Sequence, residues 1–106
     1  MKEIRAYIQP FMLAKLTQAL MEIPDFPGMN VSDCAGFGQE IPVSAREYSP
    51  FMPRKRIEIF ASDEMVEQIY NTIITVANTH QPGAGEAYIM AIEKSISIRS
   101  NGNPKN

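Results

Sequence analysis

The sequence predicts an α+β protein, a ferredoxin-like βαββαβ sandwich, and three observations predict it. Two apolar stripes recur at helical spacing, several short segments alternate apolar and polar residues with period two, and 106 residues suffice for one core but not two. Helices that follow strands after short connections pack on one face of a sheet.

The first strand is residues 2–9, where Ile4, Ala6 and Ile8 share one face and Glu3, Arg5, Tyr7 and Gln9 the other. Pro10 ends it. From Phe11 the apolar residues Leu13, Leu16, Leu20 and Ile23 follow helical spacing, until Pro24, Pro27 and Gly28 stop the helix. Residues 29–37 read as a second strand with weaker alternation. Residues 39–53 contain three prolines and no clean period, which marks a long exposed loop of the functional kind. A third strand spans 56–61, with Ile57, Ile59 and Ala61 facing the core. Ser62 or Asp63 is placed to cap a second helix whose buried stripe is Val66, Ile69, Tyr70, Ile73 and Ala77. After the Gly-rich turn 79–86 come a strand at 87–92 and a short one at 95–99, and residues 101–106 form a frayed tail. Residues 1–100 are thus one domain. Its second sheet face, to which Tyr7, Phe60, Ile89 and Ala91 are assigned, is apolar enough to call for cover by another copy.

Composition excludes several functions. With a net charge of −2 and a pI near 5.3, the chain has no broad basic field for nucleic acid. The strand Arg56-Ile57-Glu58-Ile59-Phe60 also lacks the aromatic and basic sheet face of a βαββαβ RNA-binding domain. No window is apolar enough to insert in a membrane, and Lys2, Glu3 and Arg5 interrupt any signal-like stretch, so a cytoplasmic location is expected. Cys34 is the only cysteine and reads as a small half-buried apolar residue. His80 reads as solvated loop, and the methionines are scattered over separate elements, so no metal site is predicted. No Ser/His/Asp grouping or metal motif supports catalysis. The run Arg54, Lys55, Arg56 reads as a solvated rim sooner than as an anion site, or as partners for Glu58, Glu40 and Glu47.

Several segments, in order, resemble the PII nitrogen-regulatory proteins: Ile8-Gln9-Pro10-Phe11, Gly28-Met29-Asn30-Val31, Gly36-Phe37-Gly38, Arg56-Ile57-Glu58-Ile59, Gly83-Ala84-Gly85 and Ile96-Ser97-Ile98-Arg99. The resemblance implies a homotrimeric signal-transduction regulator, with an adenine nucleotide or other small anion between protomers. It further implies that loop 39–53 engages a partner protein, such as a membrane transporter or metabolic enzyme. Carried over residue by residue, the effector site is Asn30, Gly38, Gln39, Gly83, Gly85, Glu86 and Arg99. The partner loop carries Glu40, Arg46, Tyr48 and Phe51, with Tyr48 in a structural place at the loop's return.

The chain departs from that family in charge. Gln39, Glu86 and Ser97 stand where related proteins carry basic residues, which leaves Arg99 as the cation retained in the cleft. A carboxylate in a lysine's place repels phosphate, so weak ATP binding is expected. Glu40 and Arg54 occupy the positions of a glutamine and a lysine that help such proteins sense 2-oxoglutarate, and that sensing is not expected here. An adaptor that has lost small-molecule sensing is the rival reading.

Overall fold

A computed structural model describes residues 1–38 and 50–100. Gln39, Glu40, Arg46, Tyr48 and the expected tail lie outside the described residues. Strict alternation makes β1 (Lys2–Ile8) two-faced, with Ile4, Ala6 and Ile8 buried and their neighbours half-buried. Pro10 then opens a 3₁₀ turn, Pro10–Met12, closed by the Met12 N–H donating to the Gln9 carbonyl at 3.0 Å. Helix α1 (Leu13–Met21) follows, and Leu16, Leu20 and, just past its end, Ile23 bury the predicted stripe. Phe11, expected at the start of the helix, is exposed on the 3₁₀ turn.

β2 (Asn30–Gly36) and β3 (Met52–Ala61) form a long antiparallel ribbon. β3 begins four residues before the predicted Arg56, so Met52 and Pro53 belong to a strand and not to the loop. Helix α2 (Val66–Val76) buries Val66, Ile69 and Ile73, with Ala77 just beyond it; Tyr70 is only half-buried. Neither predicted cap acts through its side chain. The Ser62 carbonyl accepts from the N–H groups of Met65 and Val66, both at 3.1 Å, while the Asp63 carboxylate takes the Met1 ammonium at 3.0 Å.

That ammonium holds the Asp63 carboxyl below its ordinary value of 3.8, first by the hydrogen bond and then by charge. A lowered carboxylate adds stability that is whole above the ordinary value and fades as pH falls through the lowered one. Asp63→Asn should therefore flatten the acid limb of the melting temperature against pH and leave the neutral limb almost unchanged. An unaltered acid limb would remove this pair from the account.

β4 (Gly85–Ala91) completes an antiparallel sheet of order β2-β3-β1-β4. The core between this sheet and the two helices is built on Ile4, Ile57 and Ile59 from the sheet and Leu16, Leu20, Ile69 and Ile73 from the helices, all fully buried. Each such side chain contributes about 1.5–3 kcal/mol relative to exposure.

Register corrects the assignment of the open face. Ile4 lies opposite Ile89 and Lys2 opposite Ala91, so Ile89 and Ala91 sit on the helix-covered face, exposed there at the β4 edge. Tyr7 and Phe60 do lie on the open face. Their companions are Glu3, Arg5, Arg56, Glu58, Glu86, Tyr88 and Met90, so that face is charged as well as apolar. Arg5 pairs with Glu3 at 2.9 Å and reaches Glu58 at 3.9 Å, and Arg56 pairs with Glu58 at 2.6 Å.

The expected strand at 95–99 is absent. Residues 94–97 are irregular and Ile98–Ser100 is a 3₁₀ turn, with Ile96 and Ile98 exposed. Alternation fits a segment to be a strand, but a ladder needs a free edge to pair with, and none of the described strands pairs with this segment.

Candidate functional site

The glycine turn is fixed by backbone before any side chain is considered. Gly83 and Gly85 have φ of +85° and +127°, where a Cβ is disfavoured. Gly85 also lies opposite Ile8, and a Cβ there would stand 1.9 Å from the Tyr7 carbonyl oxygen. Only glycine lets β4 start this close to β1. Glu86 follows, opposite Tyr7 on the open face and exposed.

Two side chains hold this turn. Gln9 is the next open-face position after Tyr7, and its Nε2 donates to the Gly83 carbonyl at 2.7 Å. Arg54 Nη1 donates to the same carbonyl. Arg54 is 6% exposed, the one buried charged residue among those described, which overturns its reading as a solvated rim. The rest of the basic run forms ion pairs: Lys55 with Asp33 at 2.5 Å, and Arg56 with Glu58. Gln9 was not singled out for this end of the sheet, and Arg54 only by its place at the loop's return. Gln9 could have been found from its parity with Tyr7. Arg54 could have been found only by extending β3 back to Met52, which places it on the same face as Arg56.

Beyond the end of β1 the β2–β3 ribbon continues alone, since Lys55 is opposite Ile8 while Gly36 pairs with Met52. At about 3.3 Å per residue this overhang is about 10 Å. Phe37 and Phe51 cross its neck edge to face, ring centres 5.0 Å apart, so Phe51 lies at the base of the predicted partner loop. Gly38 is exposed nearby, with nothing within 4 Å of where a Cβ would stand.

The remaining candidates lie elsewhere. Asn30 is exposed at the start of β2, opposite Glu58, and lines a cavity of about 260 Å³ with Pro27, Gly28, Met29, Glu58 and Phe60. It is three residues along β2 from Asp33, which shares its row with Lys55. By strand spacing that is about 10 Å along the sheet and about 14 Å across it from the glycine turn. Arg99 is exposed in the C-terminal 3₁₀ turn, after β4 has carried the chain to the Lys2 end of the sheet. One protomer therefore brings together Gly83, Gly85, Glu86, Gln9 and Arg54, and does not bring Asn30 to them. A smaller cavity of about 120 Å³ beside the turn is lined chiefly by Ile8, Ile73, Ile74, Ala77 and Ala87, and offers packing but no cation. Among the described residues no three His, Cys, Asp or Glu side chains converge as a metal site, and no helix is long and apolar enough to cross a membrane.

Chemically, the turn end offers backbone donors, one buried guanidinium and one exposed carboxylate, while the Asn30 cavity offers a polar wall and an aromatic ring. Residues 1–102 match the family described as Nitrogen regulatory protein P-II. The chain is 39% identical over 106 residues to the Nitrogen regulatory protein P-II of Pyropia yezoensis, covering 95% of this chain and 94% of the relative. It is 34% identical over 105 residues to the Nitrogen regulatory protein P-II 1 of Escherichia coli K12, covering 94% and 93%. The corresponding protein of Haemophilus influenzae is 32% identical over the same shares.

Proposed function

Because the chain belongs to the nitrogen regulatory protein P-II family, whose members are signal-transduction regulators and not enzymes, we propose that it acts as a homotrimeric regulator with its effector cleft between protomers. The observation that carries this reading is the split of the candidate site. The glycine turn with Glu86 and Arg54 sits at one end of the sheet, and the Asn30 cavity opens about 17 Å away by strand spacing. An effector touching both needs them from different copies. The open sheet face, with Tyr7 and Phe60 half-buried, is the surface that copies would cover.

The effector is an adenine nucleotide of low charge or another small anion. Asn30, Phe60 and the Gly28-Met29 backbone suit a planar base, while Glu86 opposes a polyphosphate. Residues 39–53 engage a partner protein, a membrane transporter or a metabolic enzyme, from the cytoplasm. Ligand binding at the loop's base selects one loop conformation and thereby changes partner affinity. Exposed Glu86, directly after the glycine turn, favours the second reading, a trimeric adaptor without small-molecule sensing.

Light scattering at micromolar concentration is expected to give three times the 11.9 kDa chain mass. A monomer would sink the shared cleft, since no single protomer assembles it. Titration of the trimer with AMP, ADP and ATP separates the two readings: binding of any of them supports the sensor, and binding of none supports the adaptor.

A further inference from the structure

Arg54 is the feature that the proposed function leaves unexplained. Burying a guanidinium is costly unless its charge is met, yet Arg54 ion-pairs with no carboxylate among the described residues, and its hydrogen bond goes to the neutral Gly83 carbonyl. That carbonyl already has a donor in Gln9. A second, charged donor is therefore not needed to satisfy it. What Arg54 adds is a connection, because it stands near the start of β3, two residues after Met52, on the arm that returns from loop 39–53.

We infer that Arg54 is a positioning residue that latches the loop's return arm to the glycine turn. Three segments meet at one oxygen: the turn through Gly83, the end of β1 through Gln9, and the return arm through Arg54. β1 is the rigid party, since it is paired on both sides and its core face is fully buried. Gln9 thus ties the turn to the sheet, and Arg54 ties the ribbon overhang to the turn. The overhang runs past the end of β1, so among the described residues its ladder pairing is to β2 alone. A disturbance at the turn is then felt at the loop's base through one side chain. This holds whatever the effector is, and does not require that one binds.

The test is amide hydrogen exchange on the unliganded protein, read in residues 83–86, in residues 51–54 and, as control, in residues 57–61. Arg54→Met is expected to speed exchange in both of the first two segments by roughly tenfold, the scale of one lost charged hydrogen bond, and to leave the control unchanged. Gln9→Leu should speed the turn and, through Arg54, the arm to a lesser degree, leaving the control unchanged. Arg54→Lys, which keeps a charged donor, should restore much of the protection. A purely structural role would loosen all three segments together. Change in the turn alone with Arg54→Met, or an arm that does not respond when Gln9→Leu loosens the turn, would overturn the latch. If Arg54→Met does not fold, Gln9→Leu still decides it, because only the latch carries a loosened turn to residues 51–54 while residues 57–61 stay unchanged.

Discussion

Gly85→Ala is expected to cost about 3 kcal/mol or more of folding free energy. Two penalties coincide there. The backbone sits at φ +127°, and the added Cβ would lie 1.9 Å from the Tyr7 oxygen and 3.3 Å from the Ile8 Cα. Strain at a positive φ alone is of the order of 1–3 kcal/mol, and an overlap with backbone cannot be relieved by turning a side chain. Relief requires β4 to move off β1, which would break the pairing that runs from Gly85 opposite Ile8 to Ala91 opposite Lys2. For a domain of this size the loss corresponds to a fall of about 10 °C or more in melting temperature.

Two other glycines calibrate the claim. At Gly28, φ is +99° but nothing lies within 4 Å of the added atom, so Gly28→Ala should show the backbone strain alone. At Gly38 the space is likewise open and no positive φ applies, so Gly38→Ala should be nearly neutral. Thermal melts of the three variants at one protein concentration should rank 85, 28, 38 in severity. Equal loss at Gly85 and Gly28 would mean that β4 yields at its first residue without consequence, and the fixed turn would be wrong.

How far the fold was legible depended on how strongly burial wrote itself into each segment. In β1 and β3 one face is dry, so Ile4-Ala6-Ile8 and Ile57-Ile59-Ala61 alternate cleanly and were assigned to the correct face. In β4 five successive residues, Ala87 to Ala91, are apolar or aromatic, so parity could not be read from pattern. Only the register, Gly85 against Ile8, shows that Ile89 lies on the helix side. The strand expected at 95–99 failed for a different reason. Its alternation is real, but pairing is a property of two segments, and among the described residues none pairs with it.

The candidate site shows the same limit. The glycines and Glu86 were assigned together through the family resemblance because they adjoin in sequence. Gln9 and Arg54 were missed as a pair because 45 positions separate them, and they meet only through Gly83, itself 74 residues from Gln9. Arg54 also appears within a run of three basic residues, where solvation is the ordinary outcome. Its burial follows from the turn lying over the end of the open face, which no local pattern encodes.

Glu86→Lys, best combined with Ser97→Arg, is expected to raise ATP affinity at least tenfold. Glu86 is exposed at the first open-face position after the turn, so a phosphate held by the backbone of Gly83 to Gly85 would lie beside its carboxylate. A unit charge about 4 Å from a phosphate oxygen, at an effective dielectric near 20, contributes roughly 4 kcal/mol, repulsive for glutamate and attractive for lysine. Solvent and salt screen a group this exposed, so the full figure is a ceiling. A quarter of it on each side still exceeds the roughly 1.4 kcal/mol that makes a tenfold change. Ser97 is half-buried between exposed Ile96 and Ile98, so an arginine there has room to extend toward a neighbouring copy. Calorimetric titration with AMP, ADP and ATP at fixed ionic strength measures the result. The gain should grow with phosphate number, since each added charge meets the altered side chain, and Arg99→Ala in the same background should reverse much of it. If the unaltered chain already binds ATP tightly, or the lysine variant gains nothing, the phosphates are held by other cations. Arg54, buried at the same turn, is then the first to replace, and Arg54→Met should abolish the binding.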